Sequence, residues 1–263
     1  MNKELRSLLF VPAKEKMMKK IPYMQADAYI LDLEESIEIS KKNEALERII
    51  DFLSKFSTKS IIVRLNKNNY ENELRKLDEF EIDFMLPKFE GIEEYREICS
   101  CMHKHSFYAL IETAMGMVNV REIVELKEIA GIAFGAEDFI ADVRIKDRKF
   151  LTIPRNILVT YARAFRKTVY DAACFQLMDD EKFMEEVDDA YDMGFDGKMA
   201  IHPKHLSYIN SKFESENINK YAEIVNRYEK ENEPVMVIDG RVYESMHIQY
   251  MKERITDRLE HNK

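Results

Sequence analysis

The sequence predicts a (β/α)8 barrel of the TIM type, and two observations lead to that prediction. Eight short apolar runs recur at a steady spacing, separated by charged stretches of helical period such as 41–56 and 179–195. The runs are apolar throughout rather than alternating, which is typical of parallel strands buried on both faces. Strand followed by helix, eight times over, indicates a closed barrel. A doubly wound open sheet is the alternative, but the sequence lacks the GxGxxG turn that would favour it.

Each element can be placed in order along the chain. The predicted strands are 7–12, 28–34, 60–66, 84–89, 107–113, 131–138, 169–175 and 198–203. Beyond them the pattern changes to a helix at 219–234, a hairpin at 235–245 and a helix at 246–261, with Asp239-Gly240 at the hairpin turn. We therefore predict a barrel domain over 1–215 and a C-terminal helix–hairpin–helix appendage over 216–263.

Composition narrows the class of protein. The 263 residues suit one large domain or a barrel, with 46% hydrophobic and 34% charged residues. A net charge of −9 argues against a nucleic-acid partner, because phosphate binding needs a basic face. No run is long enough to cross a membrane, and the N-terminus is a poor signal peptide. Three cysteines predict no disulfide framework. We expect a cytoplasmic protein.

Polar residues follow nearly every predicted strand. The loops after the strands build the active site in a barrel of this type, so these side chains are expected on one rim. They are Asp32, Glu34, Glu35, Arg64, Asn66, Lys88, Glu112, Glu137, Asp138, Asp171 and His202. The alternative is that strand ends simply meet solvent, where polar residues are common. A nearly complete ring favours an enzyme.

Glu112 and Asp138 are expected on neighbouring strands. Two adjacent carboxylates repel each other unless a cation or a proton lies between them. An all-oxygen site with open positions suits Mg²⁺, and Mn²⁺ is possible. Arg64 and Lys88 add positive charge, and an arginine can hold a substrate carboxylate through two hydrogen bonds. The alternative is that the two acids form structural salt bridges with these cations.

Seven motifs in order carry a family resemblance. They are "RSLLFVP", "ILDLEES", "VRLN", "LPKFEG", "IETAMG", "FGAEDFIAD" and "GFDGKMAIHP". Together they resemble the citrate lyase β-subunit-like family, within the wider HpcH/HpaI aldolase/citrate lyase superfamily, strongly over about 6–210. "DLEES" and "GAED" are similar to the acyl-thioester lyase branch rather than the pyruvate-aldolase branch.

The resemblance implies a Mg²⁺-dependent lyase that cleaves a carbon–carbon bond. Its substrate would be a 3-hydroxy acyl thioester such as citramalyl-, malyl- or citryl-CoA, on CoA or on an acyl carrier protein. The products would be acetyl-CoA, or a related acyl-CoA, and an oxo acid. The resemblance also implies a homo-oligomer, with a trimer favoured, in which the appendage caps a neighbour's active site.

The resemblance assigns roles by position. It implies Glu112 and Asp138 as metal ligands, and Arg64 as the group that grips the substrate carboxylate. Asp32 and Glu34 match acids that organise metal-bound water and the reacting hydroxyl. Glu35 and Glu244 complete the catalytic set. The residues assigned to substrate or CoA binding are Arg6, Lys14, Arg64, Lys88, Ala136 and Glu137.

The chain also departs from the family pattern. Ala13 replaces a usual glycine, which puts CoA contact in that loop in doubt, although Lys14 and Lys16 could meet phosphates. Glu35 and Glu244 each stand where an aspartate is usual, and the extra methylene moves the carboxylate by over about 1 Å, enough to alter proton transfer. His205 stands where a glutamine is common.

Three functional alternatives stay open beside the lyase. They are a malyl-CoA-type thioesterase, a condensing enzyme on the same site, and a non-catalytic acyl-CoA-binding subunit. "CSCMHKH" at 99–105 contains closely spaced cysteines and histidines, but their spacing on a predicted helix does not favour a metal cluster.

Overall fold

The computed structural model describes residues 5–56, 60–91, 98, 105–214, 218–231 and 233–261. Eight parallel strands close into a barrel in chain order, and β1 pairs with β8. The strands are β1 (Ser7–Pro12), β2 (Ala28–Asp32), β3 (Ser60–Arg64), β4 (Asp83–Leu86), β5 (Phe107–Ile111), β6 (Ile129–Phe134), β7 (Thr168–Asp171) and β8 (Gly197–Ala200). The predicted (β/α)8 barrel is confirmed.

Helices follow the strands around the outside. The helices of the described barrel residues are α1 (Glu15–Met18), α2 (Lys42–Lys55), α3 (Tyr70–Leu77), α4 (Ala114–Val118), α5 (Val120–Glu125), α6 (Ala136–Val143), α7 (Thr152–Ala164), α8 (Asp180–Met193) and α9 (Leu206–Glu214). Four 3₁₀ turns supplement them, at Ile21–Tyr23, Ile39–Lys41, Arg148–Leu151 and Pro203–His205. In the ranges that the structure describes, no helix has the length and apolarity needed to span a bilayer.

Two apolar cores lie on either side of the barrel wall. The inner core takes alternate strand residues such as Leu8, Ile30, Ile62 and Met199, all almost fully buried. The outer core packs the other strand face against the helices. Because both faces of each strand are buried, the strands are apolar throughout, which is why the sequence shows runs rather than alternation.

All predicted strands except the first extend two to four residues beyond the end of the observed strand, and at the sixth strand the difference affects the site. The run 131–138 was expected to carry Glu137 and Asp138 at the end of a strand. Instead β6 ends at Phe134, and both acids occupy the first turn of α6. Gly135, between the end of β6 and the start of α6, takes the N-cap position of the helix. Carboxylates are stabilised in the first turn of a helix by the unpaired backbone N–H groups and the helix dipole.

The C-terminal part forms a second compact unit that begins at Glu214, whereas Leu5–Phe213 forms the barrel unit. It contains α10 (Ile218–Glu231), β9 (Val235–Ile238), β10 (Arg241–Glu244) and α11 (Ser245–His261). Asp239 and Gly240 both have positive φ at the hairpin turn, as a type I′ turn requires. The predicted helix–hairpin–helix order is confirmed.

His205 is an unusual member of the outer core. Its side chain is 1% exposed and stacks on Phe183 at 3.9 Å between ring centroids. Neither ring nitrogen has a hydrogen-bond partner among the described residues. Burial, followed by repulsion from Lys204 and His202, lowers the pKa of His205 to about 4. The folded barrel therefore holds this imidazole neutral.

Acidification is expected to weaken the fold through this histidine. The neutral imidazole contributes fully above the unfolded-state pKa of 6.5, and that contribution is lost as the pH falls towards 4. We expect His205→Phe, which keeps the stacking on Phe183, to remove about 1–3 kcal/mol of this loss between pH 6.5 and 4. Urea unfolding of both proteins across that range measures the difference. Parallel pH profiles for the two proteins would contradict it.

Candidate active site

A cavity of about 330 Å³ opens at the carboxyl ends of the barrel strands. Its polar lining includes Asp32, Arg64, Glu112 and Asp138. These residues are distant in sequence, and they meet because parallel strands deliver their carboxyl ends to one rim. The pocket therefore lies where active sites of such barrels are built.

Arg64 and Asp32 form a buried pair across the last rung of β2 and β3. The register places them opposite each other. Arg64 Nε donates to Asp32 Oδ1 at 2.7 Å, and Nη2 donates to Oδ2 at 2.9 Å. The backbone N–H groups of Glu34 and Ser36 also donate to this carboxylate. Burial acts to raise the pKa of Asp32, but the Arg64 guanidinium and these hydrogen bonds outweigh it and hold the pKa below its usual value.

This pairing fixes the orientation of the guanidinium. Arg64 lies over the ring of Phe10, 4.9 Å from its centroid, and is 7% exposed. Two of its five N–H groups are committed to Asp32, and Nη1 lies 3.4 Å from Glu34 Oε2. Asp32 therefore fixes how the guanidinium is oriented in the pocket.

Glu34 carries an unsatisfied buried oxygen. Among the described residues its Oε2 has no hydrogen-bond partner, and Arg64 Nη1 lies 3.4 Å away. Burial raises the pKa of Glu34, against the opposing effect of the Arg64 and Lys88 charges. A buried oxygen without a partner costs free energy, so this atom is available to a cation or a proton.

Glu112 is held in a tight cradle. Its side chain accepts a 2.8 Å hydrogen bond from the backbone N–H of Lys88, whose φ of 46° lies in the left-handed region. On the other side, Gly135 leaves room: a Cβ there would lie 2.4 Å from Glu112 Oε2. Burial, and then the negative charge of Glu34, raise the pKa of Glu112 to about 8.

The ammonium group of Lys88 lies among three carboxylates. Its Nζ is 3.3 Å from Glu35 Oε1, 3.3 Å from Asp138 Oδ1 and 3.8 Å from Glu34 Oε1. Burial acts to lower the pKa of Lys88, but the carboxylates outweigh it and the pKa is raised. Lys88 thus joins the strand β4 end to acids from two other elements.

The family can now be identified from comparison with known proteins. The family model for HpcH/HpaI aldolase/citrate lyase matches residues 6–203, which include every polar group described above. The chain belongs to this family. The family and the barrel that the motifs predicted are both confirmed.

Relatives span most of the chain. The (3S)-malyl-CoA thioesterase of Cereibacter sphaeroides is 28% identical over 258 residues, covering 92% of this chain and 90% of that protein. The mitochondrial citramalyl-CoA lyase of Mus musculus is 29% identical over 239 residues, covering 79% and 71%. The structure of protein CitE from Mycobacterium tuberculosis, in complex with magnesium, acetoacetate and coenzyme A, is 25% identical. It superposes with a TM-score of 0.78 over 95% of this chain and 98% of that one.

The pocket fits the magnesium that this family implies. Glu112 and Asp138 offer carboxylate oxygens in the pocket lining, and Glu34 Oε2, which has no hydrogen bond among the described residues, lies 3.4 Å from Arg64 Nη1. Mg²⁺ is commonly bound by one or two carboxylates, with water and substrate oxygens at the remaining positions. Within the described ranges no group of three or more acidic, histidine or cysteine side chains could hold a metal ion, so water and substrate would have to supply the other ligands.

Not all predicted binding residues meet in this pocket. Arg6 precedes β1, at the opposite rim, where Nε and Nη2 form two hydrogen bonds of 2.8 and 2.9 Å to Asp27. The structure therefore does not bring Arg6 to the pocket, since the amino ends of the strands lie on the far side of the barrel. Ala136 is buried in the pocket wall, and Glu137 lines the edge, paired with Arg148 at 2.5 Å.

Four further predicted residues are not part of the pocket lining: Lys14, Glu34, Lys88 and Glu244. Lys14 is exposed just after the end of β1. Glu244 belongs to the C-terminal unit, at the end of β10, and its backbone N–H donates to His247 Nδ1 at 3.1 Å. Of the cysteine–histidine segment, 99–104 lie outside the described residues. His105 is buried and hydrogen-bonded to Ile82 O and Asp78 Oδ1.

The expected ring of polar residues is interrupted at β7 and β8. Asp171 points away from the pocket, where Arg155 forms two 3.0 Å hydrogen bonds to it and Lys198 Nζ donates at 2.6 Å. Its neighbour Tyr170 occupies the inner core, so alternation turns Asp171 outward. His202 caps the following turn by accepting from Lys204 N–H.

Apolar residues take the place of those missing polar groups. The pocket residues from β1, β7, β8 and the segments that follow them are Phe10, Pro12, Ala172, Ala173, Phe175, Met199 and Ile201. None of them was among the predicted site residues. The inward phase of each strand, set by Tyr170 and Met199, was the signal that could have found them.

Gly135 offers a direct test of the Glu112 cradle. We expect Gly135→Ala to displace the Glu112 carboxylate, because the new Cβ would overlap both its Cβ and its Oε2 at 2.4 Å. A ligand displaced by about 1 Å should weaken Mg²⁺ binding and turnover roughly a hundredfold. Calorimetric titration with Mg²⁺ measures the change. The control is Gly240→Ala, which strains the hairpin turn at φ 78° but whose Cβ meets nothing within 4 Å and so leaves Glu112 untouched. Equal Mg²⁺ affinity in both variants would contradict the cradle.

Proposed function

We propose that the protein is a Mg²⁺-dependent carbon–carbon lyase acting on a 3-hydroxy acyl thioester of the citramalyl-, malyl- or citryl-CoA type. The products would be acetyl-CoA and an oxo acid. The observation that carries the proposal is a pocket lined by Glu112, Asp138 and Arg64, with Glu34 Oε2 lying 3.4 Å from Arg64 Nη1. Family membership and the activities of the relatives support it.

The substrate would be held at both ends of its reacting bond. In the proposed mechanism Glu112 and Asp138 would hold Mg²⁺, which when bound would supply Lewis-acid polarisation of the substrate oxygens. Arg64 binds the substrate carboxylate through the N–H groups that Asp32 leaves free. Mn²⁺ could replace Mg²⁺, because the ligands are all oxygen.

The proton transfers fall to the nearby acids. We propose that Glu34 takes the hydroxyl proton, because its raised pKa and the lack of a hydrogen-bond partner for its Oε2 among the described residues suit a base. The carbon–carbon bond then breaks, the hydroxyl-bearing carbon becomes a carbonyl, and the electron pair passes to the acyl α-carbon. A proton delivered to that carbon completes acetyl-CoA. Glu35, half-exposed beside Lys88, and Glu244 are the candidate donors.

The test is a panel of citramalyl-, malyl- and citryl-CoA, incubated with Mg²⁺ or with chelator. Products are followed by mass. Acetyl-CoA release that stops with chelator supports the lyase. No turnover of any CoA thioester, together with no turnover of the same acyl groups on an acyl carrier protein, would leave the non-catalytic binding subunit as the better proposal.

A thioesterase is the second candidate, and the relative from Cereibacter sphaeroides favours it. Such a reaction would use the same pocket but hydrolyse the thioester, giving free CoA and the intact hydroxy acid. The panel separates the two, because a lyase gives acetyl-CoA. Incubating acetyl-CoA with the oxo acid tests the reverse condensation.

The CoA moiety needs a path out of the pocket. We propose that its phosphates contact Lys14 and Lys16, which are exposed just beyond the end of β1, and that its pantetheine arm passes Ala136 and Glu137 at the pocket edge. Pantetheine thioesters, which lack the phosphates of CoA, test this when they are added to the panel. Lys14→Gln should raise the KM for the CoA thioester and leave the KM for the pantetheine thioester unchanged.

We also propose that the protein is a homo-oligomer, a trimer in its simplest form, in which each C-terminal unit covers a neighbour's pocket. Val235, Val237 and Val242 on the hairpin are each at least half exposed, an unusual arrangement for a strand pair in water. Mixing inactive Glu112→Gln and Glu244→Gln proteins tests it. Restored activity requires that the two residues act across subunits, and none would be restored if they act within one chain.

Cell fractionation tests the proposed cytoplasmic location.

A further inference from the structure

The rim of the pocket is divided into two halves. Acids and cations come from the contiguous strands β2 to β6, through Asp32, Arg64, Lys88, Glu112 and Asp138. The other half is formed by β7, β8 and β1, which are also contiguous in the barrel. That half offers Phe10, Ala172, Ala173, Phe175, Met199 and Ile201.

Arg64 is the one cationic side chain that the described pocket lining offers a ligand, beside the Mg²⁺ that Glu112 and Asp138 would hold. Lys88 is already within 4 Å of three carboxylates. Behind the apolar half, the side chains of Arg155 and Lys198 are turned outward and donate hydrogen bonds to Asp171. A second ligand carboxylate directed at the apolar half, away from Arg64 and from the proposed Mg²⁺ position, would therefore lie against apolar side chains without a partner, which is strongly unfavourable.

We infer that the substrate carries a single free carboxylate, and that the fourth substituent on its hydroxyl-bearing carbon is hydrogen or a short alkyl group. The inference deepens the proposed function and rests on it for the bond that is cleaved. The substrate is R–C(OH)(COO⁻)–CH2–CO–S–CoA. Breaking the bond between the carbinol carbon and the CH2 group gives R–CO–COO⁻ and acetyl-CoA. The hydroxyl proton is lost and the CH2 carbon gains one, so the reaction needs no oxidant or reductant.

This selection follows from the fourth substituent alone. In citryl-CoA that substituent is a carboxymethyl group, whereas it is methyl in citramalyl-CoA and hydrogen in malyl-CoA. The methyl group would bury apolar surface against Phe10, Met199 and Ile201. The carboxymethyl group would place a charge there. A site rejects a group that it leaves buried and unpaired far more strongly than it rejects a missing methylene.

The test compares the three thioesters in wild-type protein and measures oxo-acid binding separately. We expect kcat/KM for citramalyl-CoA to exceed that for citryl-CoA by roughly a hundredfold. By calorimetry with Mg²⁺ present, pyruvate and 2-oxobutyrate should bind at least about tenfold more tightly than oxaloacetate. Citryl-CoA turned over as well as citramalyl-CoA, or oxaloacetate bound as tightly as pyruvate, would overturn the inference.

A substitution in the apolar half of the rim should reverse the selection against citryl-CoA. Ile201→Arg adds a cation to the apolar half, and it should raise the ratio of citryl-CoA to citramalyl-CoA turnover at least about tenfold. Ile201→Gln is the matched control, polar but uncharged, and should not. If Ile201→Arg does not fold, the wild-type measurements still decide.

The outcomes separate the two proposals. Oxo-acid binding with the expected preference but no thioester cleavage would overturn the proposed lyase activity and support selection by the apolar half. Cleavage with a preference for citryl-CoA would support the proposed lyase activity and overturn the inferred selection by the apolar half. Neither binding nor cleavage would overturn both.

Discussion

Glu112→Gln is expected to abolish turnover and Mg²⁺ binding while leaving the fold intact. The amide keeps an oxygen to accept from the Lys88 backbone N–H, so the 2.8 Å contact survives. It removes the anionic charge that a hard cation needs. Lewis-acid stabilisation is worth several kcal/mol and each 1.36 kcal/mol is tenfold, so kcat should fall by about three orders of magnitude.

Stability should respond differently from activity. Burial already raises the pKa of Glu112 to about 8, so the metal-free protein holds this carboxyl largely protonated at pH 7. A neutral amide resembles that state, and we expect the free energy of unfolding in chelator to change by less than about 1 kcal/mol. Mg²⁺ should then raise the Tm of wild type but not of Glu112→Gln.

Calorimetry and thermal unfolding, each with Mg²⁺ and with chelator, measure both effects. The matched control is Glu71→Gln, which removes an exposed carboxylate paired with Arg75 on α3. It should leave Mg²⁺ affinity unchanged. Wild-type Mg²⁺ affinity in Glu112→Gln would show that the metal ligands lie elsewhere.

Arg64→Met is expected to cost both stability and activity. Asp32 is 3% exposed, and removing the guanidinium leaves its carboxylate buried without a counter-charge. Breaking a buried pair in this way typically costs about 3–5 kcal/mol. Arg75→Met is the control, because its pair with Glu71 is exposed and should contribute at most about 1 kcal/mol.

A double-mutant cycle separates the pair from the two single changes. Asp32→Asn combined with Arg64→Met should be less destabilised than the sum of the single variants, because no charge is left unpaired. Urea unfolding measures the coupling. Additive effects would contradict a coupled pair.

Kinetics test the role of Arg64 toward substrate. Arg64→Lys keeps the charge but loses the planar pair of donors, so one ammonium must serve Asp32 and the ligand together. We expect kcat/KM to fall roughly a hundredfold, and pyruvate binding to weaken with it. Unchanged pyruvate affinity in Arg64→Lys would show that the carboxylate is bound elsewhere.

Much of the fold could be predicted because its signal is local. Eight strands buried on both faces must be apolar throughout, and the helices between them must be amphipathic, so both features are written into short stretches. The hairpin turn at Asp239 and Gly240 is equally local, since positive φ at two successive residues selects few sequences. The convergence of Asp32, Arg64 and Glu112 on one rim follows from parallel strand direction, which the barrel imposes.

The tertiary structure alone decided which polar groups face the pocket and what they are bonded to. Asp171 follows its strand as Asp32 does, yet it turns outward to Arg155 and Lys198 because Tyr170 takes the inward position. Arg6 belongs to the same motif, "RSLLFVP", as the pocket residues Phe10 and Pro12, but it pairs with Asp27 on the opposite rim. Such outcomes depend on strand phase and on competition between partners distant in the chain, and no short stretch of sequence records either.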